Sequence, residues 1–220
     1  MPRADDISEE GFGFFRGTWY LGHVPAVEAQ SAVRYEAEVI AWLDENASSA
    51  ETFELFASAI EKHDAELLPE NLRATAIASG IANYISDDPD EDSGPLANLE
   101  IGVSGLVHAL SSIRCLTAAS CRSHNNDQSW SDAPIVFFAA PAWRVRILAE
   151  LIASEGCGLA ADRDMLTVYG ASIRDLHRLA QRILRDRARF RRKPAELQRR
   201  TTRTTAPPNR QLELFSARAK

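Results

Sequence analysis

Cys121 and His124 stand three positions apart in the segment Leu116-Thr117-Ala118-Ala119-Ser120-Cys121-Arg122-Ser123-His124, where a short apolar run gives way to a polar loop. A thiol and an imidazole at that spacing admit two chemistries. The imidazole can take the thiol proton and leave a nucleophile, or both side chains can ligate a metal as one half of a zinc site. A structural zinc site needs further ligands, and the remaining candidates, His108, Cys115 and Cys157, sit on apolar stretches with no short-spaced pair among them. No metal and no cofactor is therefore expected, and the plain alternative is a small buried cysteine beside a loop histidine. A second polar constellation is a row of arginines, Arg174, Arg178, Arg182, Arg185, Arg189 and Arg192, at steps of three and four. That spacing puts them on one helical stripe. The stripe either holds nucleic-acid phosphates without reading sequence, or is a solvated face that partners the acidic N-terminal half. The glycines Gly11, Gly13, Gly17 and Gly22 form no phosphate loop, because no Lys-Ser or Lys-Thr follows them.

A third constellation lies near the C-terminus. Residues 193–210 contain three prolines, four threonines and repeated arginines, with almost nothing to bury, and read as a disordered basic tether. Gln211-Leu212-Glu213-Leu214-Phe215 then places three large apolar side chains in five positions. Exposed apolar groups of that size ask for a cover, and a short linear peptide that enters a partner's pocket provides one. The pentapeptide resembles the clamp-binding motif of bacterial polymerases, mismatch-repair proteins and clamp loaders, usually Gln-Leu-(Ser/Asp)-Leu-Phe. Gln211, Leu212, Leu214 and Phe215 match it, and Glu213 replaces serine or aspartate. The resemblance implies that Leu214 and Phe215 fill an apolar pocket on the DNA sliding clamp (the polymerase III beta subunit). It further implies that Gln211 hydrogen-bonds at the rim and Leu212 takes a shallower place. Burying the two large side chains supplies roughly 3–6 kcal/mol before ordering costs, which suits a micromolar peptide. A fold-back of the peptide onto the body is the alternative. The similar Phe53-Glu54-Leu55-Phe56 lies in an amphipathic helical pattern and belongs to the core. The segment around Ser120 and Cys121 also resembles, at those two positions, the Ser-Ser-Cys-Ser-Gly-Arg signature of the wybutosine-synthesis methyltransferase family. That resemblance implies a related α+β fold, and not methyl transfer.

These residues need elements to position them. Residues 1–23 form an irregular aromatic segment, in which Phe12, Phe14, Phe15, Trp19 and Tyr20 seal the core or form a surface for a partner protein. A helical subdomain is expected over 24–96. Its first helix runs from Pro25 to Asn46, with Ala32, Tyr35, Val39 and Trp42 on one face. Ser49 caps a second helix, with Phe53, Phe56, Ile60 and Leu67 on its apolar face and Pro69 as its stop. A third spans Asn71 to Ser86, and an acidic linker occupies 87–96. An α+β unit follows over 97–192, in the order helix, strand, strand, helix, strand, strand, helix, giving a small sheet covered on one face. Its helices cover Asn98 to Ser112, a stretch opened by Pro141, and a long stretch capped by Ser172 with Asp175. Its strands are Leu116–Cys121, Pro134–Ala140, Cys157–Ala161 and Met165–Tyr169.

Charge is uneven along the chain. The net charge is -6, but residues 1–100 hold 21 acids against 5 bases, and residues 181–220 hold 13 bases against 3 acids. The basic end suits a DNA backbone, whereas the acidic front suits a second protein. The longest apolar run, Ala133 to Trp143, carries two prolines and is far shorter than the roughly 20 residues of a membrane helix, so no membrane is expected. Three cysteines and an acidic N-terminus point to a reducing cytoplasm, and the resemblance to clamp-binding peptides implies that the chain is nucleoid-associated. The expectation is an α+β protein that binds the bacterial sliding clamp as an accessory factor in DNA replication or repair. A toxin or phage-type inhibitor that occupies the clamp pocket is the first alternative. A nucleic-acid-modifying enzyme centred on Cys121 and His124 is the second.

Overall fold

The structure, a computed structural model, describes residues 22–62, 64–81, 96, 99–124, 131–162 and 165–191. The N-terminal aromatic cluster, the acidic run 87–95, Arg192 and the tail with its peptide 211–215 lie outside the described residues. Within them the chain is α+β, with helices α1 (Ala26–Asn46), α2 (Ala50–Glu61), α3 (Glu70–Ala78) and α4 (Ser104–Ser112), then strands β1 (Leu116–Cys121) and β2 (Ile135–Ala139). Helix α5 (Ala142–Ser154), strands β3 (Gly158–Asp162) and β4 (Met165–Tyr169), and helix α6 (Ile173–Arg185) complete it. The order of elements from α4 onward is the one the hydrophobic pattern predicts.

The four strands form one antiparallel sheet in the order β1-β2-β4-β3. Alternation fixes its buried face: Val136, Phe138 and Val168 enter the core beneath α4, α5 and α6, while Ile135, Phe137 and Thr167 are half-buried on the other side. Helix α1 packs on α4 and α6 through Val33 and its neighbours. A second core joins α1, α2 and α3, where Trp42 and Phe56 meet with ring centroids 6.2 Å apart. As expected, Ala32, Tyr35, Val39 and Trp42 are all buried. No helix among the described residues is long and apolar enough to cross a membrane.

Strands β2 and β3 start one residue later than expected, and three helix boundaries differ by more, each for a local reason. Helix α4 starts at Ser104, not near Asn98, because Gly102 takes φ +92°, outside any right-handed helix. A Cβ there would also lie 2.4 Å from the Ile173 Cβ. Helix α3 stops at Ala78, just before Gly80 with φ +78°, the usual left-handed exit from a helix. Leu67 is not on the face of α2. The helix ends at Glu61, and Leu67 closes a short 3₁₀ turn (Ala65–Leu67) whose Glu66 amide donates to Asp64. Leu68 is buried in its place.

Where α1, α4 and α6 meet, the Glu36 carboxylate is fully buried. It accepts from the amides of Gly102 and Gly105 at 2.9 Å each, at the start of α4, and pairs with His177 Nδ1 of α6 at 2.8 Å. An anion at a helix N-terminus satisfies amides that have no partner inside the helix. Gly105 is required for this approach, since a Cβ there would sit 2.4 Å from Glu36 Oε2. Glu36→Ala is expected to cost about 3–5 kcal/mol in chemical denaturation, because it leaves two amides and an imidazole without their acceptor. At the start of α6, the Ser172 amide and hydroxyl both donate to Asp175 Oδ2, at 2.8 and 3.0 Å. Burial opposes the charge on Asp175, but the Ser172 bonds and Arg178 hold its pKa below the ordinary 3.8. A depressed carboxylate contributes stability above its unfolded pKa and loses it as the pH falls through the folded one. Asp175→Ala should therefore cost about 1 kcal/mol at neutral pH. The difference from the wild type should begin to narrow below about pH 4 and close only once the pH has fallen through the lower folded pKa, as read in acid-unfolding curves.

Candidate functional site

The last residue of β1 and the three that follow carry the richest polar chemistry in the body. Arg122 is 2% exposed, and its guanidinium fork reaches two carboxylates of α2: Nη1 to Glu61 Oε1 at 2.5 Å and Nη2 to Glu54 Oε1 at 2.6 Å. Those two glutamates are seven positions apart, so two helical turns bring them to one face. Glu61 Oε1 also accepts from the Ile101 amide at 2.7 Å. The Arg122 amide donates to Glu100 Oε2 at 2.7 Å. One residue thus ties α2, the turn before α4 and the end of β1 together.

His124 lies between two of these acids. Its Nδ1 is 2.7 Å from Glu54 Oε1 and its Nε2 is 2.9 Å from Glu100 Oε1. Burial disfavours its charge, yet the bonds to Glu54 and Glu100 raise its pKa above the ordinary value. Burial also pushes the Glu61 carboxyl up to about 7 against the pull of Arg122, whereas Glu54 is held below its ordinary value by His124 and Arg122 despite burial. Cys121 is fully buried, and its Sγ accepts the Ser123 amide at 3.4 Å. Ser123 adopts φ +70°, a left-handed conformation that turns the chain back toward Cys121.

The structure therefore brings Cys121 and His124 into one cluster, as their spacing allowed. With both ring nitrogens facing carboxylates, His124 is poorly placed to take the Cys121 proton. The other cysteines and the core histidine lie elsewhere. His108 Nδ1 is 2.8 Å from the Ser104 carbonyl, and burial pushes the thiols of Cys115 and Cys157 up to about 12 and about 11. The residues that sequence reasoning missed are Glu54, Glu61, Glu100 and Arg122. Glu54 and Glu61 gave one signal, a carboxylate pair at a seven-residue step beside the apolar stripe of α2.

The arginine stripe is engaged with acids. Arg174 pairs with Asp44 of α1, Arg178 with Asp175, Arg182 with Asp186 at 3.4 Å, and Arg189 with Glu150 at 2.5 Å. Helix α6 ends at Arg185, and Arg189 follows in a 3₁₀ turn (Arg187–Phe190), so the stripe is not one continuous helix. Arg185 is exposed near the helix end.

In comparisons with protein-family models, curated proteins and solved structures, the chain matches none. Replacing Arg122 with methionine should destabilise the body by about 3–5 kcal/mol, because Glu54 and Glu61 lose a shared buried cation. Lysine should not restore the loss, having no planar fork to span both acids. Urea denaturation of the two variants checks this.

Proposed function

We propose that the chain docks on the bacterial DNA sliding clamp through Gln211-Leu212-Glu213-Leu214-Phe215 and acts as an accessory factor in DNA replication or repair. The observation that carries this reading is the pentapeptide itself, four of whose five residues match the clamp-binding pattern. Its setting supports it, since the preceding residues 193–210 are basic and rich in proline and threonine. A positively charged neck beside a peptide that docks on a DNA-encircling ring is favoured by the phosphate backbone that runs through the ring.

The folded body gives the fold-back alternative little support. Among the described residues, the large exposed apolar side chains are Val27, Leu55, Leu67 and Tyr169, each on a different element. A few exposed apolar side chains of this kind are ordinary surface. The arginines of α6 are mostly occupied by carboxylates, which leaves the tether as the better source of positive charge toward DNA.

Titrating purified clamp with the full chain, with a chain ending at Arg210, and with a Leu214→Ala/Phe215→Ala variant tests the proposal. The truncation and the double substitution should each weaken binding by about 100-fold or more, the loss expected when two large anchors leave an apolar pocket. Equal affinity of all three would remove the docking role. If overexpression arrests DNA synthesis and the double substitution cures the arrest, the accessory role gives way to inhibition of the clamp.

A further inference from the structure

Glu100, Cys121 and His124 each offer one donor atom, and these three atoms lie within 4.8 Å of one another. They come from two places in the chain, the turn before α4 and the end of β1, and the fold alone brings them together. We propose that these three side chains form a binding site for a divalent transition-metal ion of the zinc type. This site is separate from the tail and stands whether or not the tail docks.

The donor set selects the ion class. A thiolate disfavours magnesium and calcium, which prefer oxygen, while sulfur, imidazole nitrogen and one carboxylate suit zinc and its neighbours. Three protein ligands leave a fourth position for water or a substrate. The spacing is close to what an ion needs: ligands on tetrahedral zinc stand roughly 3.3–3.6 Å apart, given bonds of about 2.0–2.3 Å. His124 Nε2 and Glu100 Oε1 are already 2.9 Å apart, so a small opening admits an ion between them.

What separates this cluster from a chance gathering of polar groups is that each donor is already oriented by a neighbour. The Arg122 amide holds Glu100 Oε2 at 2.7 Å and leaves Oε1 turned to His124. Glu54 Oε1 holds His124 Nδ1 at 2.7 Å, the carboxylate–histidine arrangement that fixes the ring of a metal ligand and presents Nε2. Glu54 is itself held by Arg122 at 2.6 Å. The Ser123 amide points at Cys121 Sγ. Access is available, since the Glu100 and His124 side chains are 31% and 21% exposed while Cys121 is buried behind them.

Charge balance allows the exchange. Binding replaces the Nε2 proton of His124 and the thiol proton of Cys121 with one doubly charged ion, so two protons leave and the cluster's net charge is unchanged. Arg122, Glu54 and Glu61 keep their own pairing throughout.

Cobalt(II) added to the metal-stripped full chain tests the site, because a cobalt–thiolate bond gives a sulfur-to-metal charge-transfer absorption. The expected result is a band that saturates at one ion per chain and is bleached by zinc. Cys121→Ser should abolish it, and Glu100→Gln and His124→Gln should weaken cobalt binding by about 10-fold or more. Glu54→Gln, which acts on the ring of His124 and not on the ion itself, should weaken it by about 10–100-fold. Cys157→Ala should leave it unchanged. Circular dichroism checks that each variant folds, and the partly exposed Glu100→Gln carries the test should Cys121→Ser not fold. Absence of the band in the wild type overturns the proposal. So does a band that survives Cys121→Ser, or an affinity that Glu100→Gln leaves intact.

Discussion

Arg122 carries a permanent charge to a position that is 2% exposed. Such a charge costs several kcal/mol unless hydrogen-bonded anions surround it. The anions come from α2, which must therefore lie with Glu54 and Glu61 against the end of β1. The same requirement places Glu100, whose carboxylate takes the Arg122 amide, and with it the turn that leads into α4. Glu36 plays the matching part on the far side of that turn, where it binds the amides of Gly102 and Gly105 around the start of α4 and the imidazole of His177 in α6. Two buried ionic junctions thus bracket residues 100–105. One fixes helix to helix, and the other fixes helix to sheet.

The body's other contacts are less directional. Leu, Ile, Val and Phe side chains under the sheet stabilise the fold in proportion to the area they hide, but they tolerate many arrangements of similar volume. Ionic junctions with bidentate geometry tolerate few. The cluster therefore has a consequence for chemistry as well as for stability. Pinning α2 to β1 holds Glu54 against His124, and the ring against Glu100, beside a buried thiol. Both the imidazole and the thiol arrive through a strand end and a left-handed Ser123, which is where a fold often places reactive groups.

Much of the architecture was legible from period alone. The bounds of β1 and β4 are those of the apolar runs, and the face of α1 follows Ala32, Tyr35, Val39 and Trp42. Local stops were harder, because Gly102 and Gly80 act through positive φ that a hydrophobic pattern does not register. The site was legible only in half. Cys121 and His124 are neighbours in sequence, whereas Glu54 lies 70 residues from His124 and Glu61 lies 61 from Arg122. Periodicity identifies a helix face but not the partner it meets, so an acid beside an apolar stripe reads as solvent-facing until the tertiary contact is known. Arg122 was masked in the same way, as one more polar residue after a strand.

In the proposed function, residues 211–215 dock on the clamp while the folded body carries its own polar cluster. If the two are independent, clamp binding should leave the body's amides as they are. Hydrogen–deuterium exchange on the full chain, with and without saturating clamp, reads this directly. The account predicts new protection at 211–215 and the adjacent tether, with exchange in α2, at the start of α4 and along β1 unchanged. Protection that appears on α2 or β1 while the amides of 211–215 exchange as freely as before would contradict it.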